Sequence, residues 1–261
     1  MDNFFSLFNF NLVKFFLWLK FYLRELFFPF GCALCGSSLC GKNEIWHGLC
    51  DACYLQFKSG NGQTEKCDYC GKPLISEHKR CLPCRNRNEL SFDRAMVLFP
   101  YTGKYRKLLA SYKFEKNIAL GNFFAEKICE EITYNAERGD VLMPSLNFLK
   151  DTQLVPVPPR PGKIRKNGWD QVEYLTKLLE RGKNISVSRC LKRLPSKSQK
   201  ELDREMRQSN LRGRIITIRQ PPKIAVLLDD VITTGSTLDA CAAALKENGA
   251  EKVYGLCLFY D

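Results

Sequence analysis

Apolar and polar positions from about residue 90 onward follow two alternating periodicities. Short apolar runs typical of buried strands occupy residues 92–101, 153–157, 224–228 and 252–259. Apolar side chains spaced three and four apart, as on one face of a helix, occupy residues 102–114, 118–132, 168–179 and 236–248. Strands that alternate with helices predict an α/β domain over residues 89–261, with a parallel sheet flanked by helices.

The first thirty residues predict a separate amphipathic helix. Six apolar side chains share one helical face, and Pro29 ends the pattern: Leu12, Phe15, Phe16, Leu19, Leu23 and Leu26. Charged side chains interrupt residues 4–30, so no charge-free run reaches the roughly 18 residues of a membrane-spanning helix. Two interpretations stand: the apolar face packs on the rest of the protein, or it contacts a membrane surface or a partner protein.

Residues 31–88 have little apolar periodicity and many cysteines. Eight of the 13 cysteines form four Cys-x-x-Cys pairs: Cys32/Cys35, Cys50/Cys53, Cys67/Cys70 and Cys81/Cys84. Two intervening residues let both thiolates reach one tetrahedral ion, so the segment predicts a zinc-ribbon module with about two structural Zn²⁺ ions. Consecutive pairing needs one short hairpin per metal and is favoured over a cross-braced arrangement. His47 and His78, each three residues before a pair, are interpreted as surface or outer-shell residues.

The run Val226–Leu238 carries the clearest chemical signal. An apolar strand delivers two adjacent carboxylates, Asp229 and Asp230, at its carboxyl end, where open α/β sheets bind ligands. Small hydroxyl residues and one glycine follow, and then a helix begins: Thr233, Thr234, Gly235, Ser236 and Thr237. Backbone N–H groups at a helix N-terminus hold phosphate, and carboxylates bind ribose hydroxyls directly or through Mg²⁺. The run therefore predicts a ribose-phosphate site.

The distribution of charge indicates the kind of partner, and the cysteine spacing indicates the cellular compartment. The formal net charge is +12, and residues 156–214 contain 16 Lys/Arg against 6 Asp/Glu. Such a basic stretch suits phosphate-rich partners, either a polyphosphorylated small molecule or single-stranded DNA, although a solvated surface is the alternative. Metal-type cysteine spacing favours a reducing, cytoplasmic compartment, with the N-terminal helix allowing a peripheral position at the inner face of the membrane.

The run Val226–Leu238 resembles the phosphoribosyl-pyrophosphate signature of type I phosphoribosyltransferases, and nearly the whole chain resembles the ComF family (ComFC or GntX-like proteins). Beyond the N-terminal helix and the cysteine pairs, the motifs that carry this resemblance are Phe99–Gly103, Tyr112–Phe114, Leu154–Pro158, Arg165–Gln171, and Ser198-Gln199 with Arg204, Arg207 and Asn210. One departure is Trp169, where the family usually has Phe.

The resemblance implies a type I phosphoribosyltransferase fold and a set of roles. Asp229 and Asp230 would contact the ribose 2- and 3-hydroxyls with Mg²⁺, and residues 233–237 would surround the 5-phosphate of phosphoribosyl pyrophosphate. A pyrophosphate loop would be formed by Pro156, Val157, Pro158 and Arg160, with Lys163 and Arg165 as further cations and Lys113 reaching in from an earlier helix. A lid over residues 199–212 would bring Arg204 and Arg207 to the reacting centre.

The family is associated with competence and DNA uptake, which leaves two functions open. One is a phosphoribosyl-pyrophosphate-binding protein that assists DNA uptake by binding nucleic acid or competence and membrane-associated proteins. The other is a phosphoribosyltransferase that acts on a nitrogenous acceptor. The phosphate signature alone does not separate them, because regulatory proteins of this fold also bind phosphoribosyl pyrophosphate.

Overall fold

The computed structural model describes residues 31–57, 66–74, 78–86, 90–137, 152–195 and 212–261. The amphipathic helix predicted over residues 1–30 lies outside this part of the chain. The helices are α1 (Lys42–His47), α2 (Asp51–Tyr54), α3 (Leu82–Arg85), α4 (Gly103–Lys113), α5 (Ala119–Glu137), α6 (Lys163–Asn167), α7 (Gln171–Lys183) and α8 (Ser236–Glu247). The strands are β1 (Arg94–Pro100), β2 (Thr152–Pro156), β3 (Leu191–Arg193), β4 (Ile215–Thr217), β5 (Ile224–Ile232) and β6 (Lys252–Tyr260).

Four strands form a parallel sheet in the order β1-β6-β5-β2. Both faces are covered, because alternate residues of β5 enter two different cores. Val226 and Leu228 pack on the side of α4, α5 and α7. Ala225 and Leu227 pack on the side of α8 and the small β3–β4 hairpin. A strand buried on both faces has a continuous run of apolar residues, and for this reason β5 was predictable from the sequence. The predicted α/β class with a helix-flanked parallel sheet is confirmed.

Strand β5 is longer than the sequence pattern indicated. The apolar run ends at Leu228, but the strand continues to Ile232, with Asp229 paired in register with Cys257 and Val231 with Phe259. Neighbouring strand β6 holds the extra residues by backbone pairing, which is independent of side-chain polarity. The two carboxylates therefore lie at the carboxyl end of β5 as predicted, but inside the strand, because the strand is longer than the predicted residues 224–228.

The first cysteine-rich segment shares the core of the α/β domain. Leu39, Leu49 and Phe57 are buried in the same cluster as Phe99 and Phe123. The Phe57 ring packs edge-on against both Phe99 and Phe123, with centroids 6.0 and 5.3 Å apart. The Nζ of Lys107 on α4 also donates to the Leu34 carbonyl. Unfolding of this segment would therefore expose the centre of the domain.

The second cysteine-rich segment lies against β1, which is an edge strand. The Ala95 N–H donates to the Tyr69 carbonyl at 2.8 Å, so the segment adds a backbone contact to that edge. Tyr69 also stacks on Phe92 with centroids 5.2 Å apart. Gly71 has a φ of +72°, and a Cβ there would lie 2.5 Å from the Ala95 carbonyl oxygen. The close approach requires glycine at this position.

A lid was expected over residues 199–212, and of residues 191–212 the structure describes 191–195 and 212. Residues 191–193 form β3, which pairs antiparallel with β4. The remainder of that segment, with the predicted lid residues Gln199, Arg204 and Arg207, lies outside the described residues. Among the described helices, none is long and apolar enough to cross a membrane.

Candidate functional site

The site is built where β5 passes into α8. Gly235 adopts a φ of +78° as the residue before α8, and its conformation turns the chain from the strand into the helix. Thr234 Oγ1 and Ser236 Oγ lie 2.7 Å apart in a hydrogen bond, so these two hydroxyls gather at the start of the helix. Hydroxyls beside the free N–H groups of a helix N-terminus form a surface suited to an anionic phosphate.

The adjacent carboxyls of Asp229 and Asp230 have pKa values shifted in opposite directions. Burial and the nearby charge of Asp230 raise the pKa of Asp229 well above its ordinary range. Burial alone would also raise the pKa of Asp230, but the charge of Lys113 together with the hydrogen bonds from Lys113 and Gln171 lowers that pKa. Lys113 Nζ lies 2.5 Å from Asp230 Oδ2. Asp229 is therefore the harder of the two carboxyls to ionise, and a bound divalent cation would favour its ionisation.

Asp230 is also the centre of a polar network that crosses the mouth of the sheet. Gln171 Nε2 donates to Asp230 Oδ2 at 2.6 Å, and Lys163 Nζ donates to Gln171 Oε1 at 2.5 Å. The same Lys163 ammonium contacts Asp170, whose carboxylate caps α7 by accepting from the Val172 N–H. The motif Arg165–Gln171 was recognised from the sequence, but the part of Gln171 and Asp170 was missed, since only the fold brings them beside β5.

A cluster of three arginines lies near the carboxylates. Burial and the charges of Arg160 and Arg214 lower the pKa of Arg193, while Asp229 acts in the opposite direction. Three like charges gathered beside a partly buried acidic pair create a field that favours a polyanion. Arg160 was expected here from the sequence. Arg193 was not, because its position in a short strand of a broadly basic segment carries no distinguishing pattern.

The residues expected to form the pyrophosphate loop follow β2. Pro156 is in register with Leu228, and the Val157 N–H donates to the Leu228 carbonyl at 3.0 Å. Pro156, Val157 and Pro158 thus run beside the strand just before Asp229, and exposed Arg160 follows them. Of the expected cations, Lys163 is engaged with Asp170 and Gln171. Arg204 and Arg207 lie outside the described residues.

The eight paired cysteines gather into two groups of four thiols. The groups are Cys32, Cys35, Cys50, Cys53 and Cys67, Cys70, Cys81, Cys84, with all four sulfurs of a group within 4.8 Å of one another. This grouping is consecutive and not cross-braced. Zn–S bonds of about 2.3 Å in a tetrahedron place the sulfurs about 3.8 Å apart. Sulfurs of Cys35 and Cys50 are 3.6 Å apart and those of Cys70 and Cys81 are 3.7 Å apart, so both groups fit Zn²⁺.

Local hydrogen bonds favour the thiolate form at one cysteine of each group. The hydrogen bond with Ser37 lowers the pKa of Cys35 to about 6. Burial acts to raise the pKa of Cys67, but backbone donors at Cys70 and Cys81 lower it to about 7. Zinc binds thiolates, so these environments assist metal binding near neutral pH.

His47, interpreted from the sequence as a surface or outer-shell residue, is largely buried. Its side chain is 13% exposed, and its Nε2 lies 2.6 Å from Glu126 Oε2 on α5. Tyr54 donates to the other oxygen of the same carboxylate. His47 therefore joins the first cysteine-rich segment to the α/β domain and is absent from the thiol groups, while His78 is exposed as expected.

Comparison with known proteins adds distant relatives of similar length. No protein-family model matches the chain. Competence protein F of Haemophilus influenzae is 27% identical over 234 residues, covering 87% of this chain and 95% of that protein. Competence protein ComFC of Bacillus subtilis is 24% identical, covering 84% of this chain and 89% of its own length. The DNA utilization protein YhgH of Escherichia coli K12 is 25% identical, with coverages of 81% and 89%.

Fold and site together define an α/β protein with a parallel sheet, a paired-carboxylate loop before a helix, and two four-cysteine groups of zinc-ribbon type. Its relatives share most of their length with it. The relatives named as competence protein F and ComFC, similar to this chain over most of its length, support a relationship to the ComF family.

Proposed function

We propose that this chain is a Mg²⁺-dependent phosphoribosyl-pyrophosphate-binding protein that assists DNA uptake. Asp229 and Asp230 bind the ribose and Mg²⁺, residues 233–237 bind the 5-phosphate, and residues 156–160 with Lys113 bind the diphosphate. The role in DNA uptake is supported by relatives named as competence and DNA utilization proteins. The N-terminal helix is the proposed contact to competence or membrane-associated proteins.

The observation that carries this proposal is the unequal acidic pair beside the phosphate-type loop. The raised pKa of Asp229 means that its ionisation costs folding free energy, and a structural role does not explain why this carboxyl lies beside the Lys113-paired Asp230. A divalent cation with two ribose hydroxyls would compensate both carboxylates. The hydroxyls of Thr234 and Ser236 lie at the adjoining helix start, where the 5-phosphate of the same ligand would bind.

The arginine cluster supports the diphosphate half of the ligand. Burial and the like charges of Arg160 and Arg214 both lower the pKa of Arg193 in the free protein. A bound diphosphate would offset these like charges, since each guanidinium binds phosphate oxygens through paired N–H donors. The two four-cysteine groups are proposed to hold one structural Zn²⁺ each, in a module over residues 31–88 that precedes a phosphoribosyltransferase-like domain over residues 89–261.

Calorimetric titration with phosphoribosyl pyrophosphate, with and without Mg²⁺, tests the site. Asp229→Asn removes the group that Mg²⁺ must deprotonate, so affinity should fall about tenfold or more, as a charge-assisted contact contributes about 1.5–3 kcal/mol. Thr234→Val should weaken binding less, because backbone donors remain. Asp51→Asn, in the first turn of α2, is the matched control and should bind as the wild type does. Wild-type protein that shows no Mg²⁺-dependent heat at millimolar ligand would refute the site.

A phosphoribosyltransferase reaction is the second candidate, favoured by the arginine cluster near the acidic pair. In such a reaction the bond between ribose C1 and the diphosphate breaks, and a nitrogen of the acceptor takes its place. Arg204 and Arg207 are the residues proposed to stabilise the departing diphosphate. Incubation with candidate acceptors, followed by an assay for released pyrophosphate, separates this candidate from binding alone.

A further inference from the structure

Phe114 is the most exposed of the large apolar side chains in the described part of the chain. Its side chain is 71% exposed, although its backbone is fixed as the residue that ends α4 and donates to the Ala110 carbonyl at 2.9 Å. An aromatic ring in water on a rigid backbone has already lost much of the entropy that binding would remove. Such a ring is typical of a contact surface for a flat ligand.

The Phe114 ring lies beside the acidic pair. Lys113 Nζ is 5.9 Å from the ring centroid and 2.5 Å from Asp230 Oδ2. Both distances are measured from Lys113 Nζ, so the ring centroid lies no farther from Asp230 Oδ2 than the sum of the two distances. A second exposed apolar side chain, Ile164, follows Lys163, whose ammonium contacts the same Asp230 network through Gln171. Each of the two exposed apolar side chains therefore follows a lysine of the polar network around Asp230, which Lys113 contacts directly and Lys163 reaches through Gln171.

The charge around these apolar side chains is positive. Helix α6 carries Lys163, Arg165 and Lys166 and no acid, and the last two are exposed. Lys116 is exposed in the turn after Phe114, where Glu115 is the acidic neighbour. An exposed ring interleaved with cations is the combination that binds single-stranded nucleic acid: the ring stacks on a base while the cations contact the backbone. A duplex does not fit, because its bases are stacked on one another.

We propose that Phe114 stacks on a base of single-stranded DNA while Arg165 and Lys166 of α6 hold the phosphates beside that base. This inference rests on the nucleic-acid part of the proposed function and deepens it by naming the contact. It places the strand at the mouth of the ribose-phosphate site. DNA and the small ligand then occupy neighbouring surfaces that share Lys113.

Fluorescence anisotropy with a fluorescein-labelled oligothymidylate at low salt tests the stacking. Phe114→Ala and Phe114→Leu should weaken binding about fivefold to a hundredfold, and Phe114→Trp should bind at least as tightly as the wild type. Ile218→Ala, a half-exposed apolar residue just after β4, is the matched control and should leave affinity unchanged. Thermal melting checks that each variant folds, as expected for a side chain in water.

The Phe114→Trp variant supplies a signal that a structural role would not produce. Indole emission above the wild-type background should be quenched when the oligothymidylate binds, whereas the emission of an Ile218→Trp variant should not change. Equal affinity of the wild type, Phe114→Ala and Phe114→Leu would overturn the stacking contact and leave DNA binding intact. No binding by the wild type would overturn both the DNA role and this inference, with the phosphoribosyl-pyrophosphate calorimetry unaffected. Displacement of the strand by thymidine 5′-phosphate at equal nucleotide concentration would also overturn it, since the occupant would be a free nucleotide.

Discussion

At the scale of single residues, the opposite pKa shifts of Asp229 and Asp230 predict opposite effects on stability for two similar substitutions. Asp229 has a raised pKa when folded, so its contribution to stability is complete below about pH 4 and is lost as pH rises through the folded-state pKa. Asp229→Asn removes that loss, and its melting temperature should rise above that of the wild type as pH increases. Asp230→Asn removes the charge that Lys113 and Gln171 contact and should destabilise by about 1.5–3 kcal/mol at neutral pH.

Melting curves of both variants between about pH 4 and 8 check this assignment, with the pH range set by the ordinary aspartate pKa. The assignment would be contradicted if the Asp229→Asn variant were less stable than the wild type at pH 8. That result would mean that Asp229 is ionised and held by a partner, and that the proton in the pair lies on Asp230.

Arg193 gives a second prediction at this scale. Arg193→Gln removes one of three clustered guanidinium groups, so affinity for phosphoribosyl pyrophosphate should fall about tenfold or more, while stability should hold or rise because the repulsion is relieved. Arg219→Gln removes the same charge from an exposed position just after β4 and should have little effect. Titration calorimetry measures both. An equal loss of affinity in the two variants would indicate that Arg193 acts through the overall positive charge and not through a contact with the ligand.

Only some of the candidate site residues could be predicted from the sequence. Asp229, Asp230 and residues 233–237 were found because they are contiguous and their chemistry is unusual for a strand end. Gln171 and Arg193 were missed because they reach the site from α7 and β3, and only the packing of those elements beside β5 decides it. Lys113 was anticipated from the family motif, not from its helix pattern.

At the scale of elements, the two cysteine-rich segments offer a matched pair of glycines. Gly36 and Gly71 follow equivalent cysteine pairs with φ of +79° and +72°. Alanine at Gly36 meets nothing within 4 Å and should cost about 1 kcal/mol from the left-handed backbone alone. Alanine at Gly71 meets the Ala95 carbonyl oxygen and should cost about 1–3 kcal/mol more.

Denaturant unfolding of the two variants measures the difference, which reports the contact between the second segment and β1. Equal destabilisation would mean that this segment can shift away from the sheet without loss. The sequence predicted most helices and strands within a few residues, since their apolar periodicity is clear. The continuation of β5 past Leu228 escaped it, because backbone pairing with β6, not apolarity, extends the strand.

At the scale of the whole molecule, metal and core are linked. Leu39, Leu49 and Phe57 of the first cysteine-rich segment belong to the same core as Phe99 and Phe123. Removal of Zn²⁺ should therefore lower the melting temperature of the entire chain by about 10 °C or more in one cooperative transition. Calorimetric scans with and without a strong chelator, together with elemental analysis for about two Zn²⁺ per chain, check this. A separate small transition, with the main one unchanged, would show that the segment unfolds alone.

The edges of the sheet carry one further consequence. β2 is flanked by a backbone bridge in which Leu154 exchanges hydrogen bonds with Ser186 and Ser188, and β1 is flanked by the second cysteine-rich segment through Tyr69. An uncovered strand edge is a template for adding another chain. Loss of zinc from Cys67, Cys70, Cys81 and Cys84 would free one edge and leave the other blocked. In a cell starved of zinc, the exposed backbone of β1 would then offer a template for self-association of this protein.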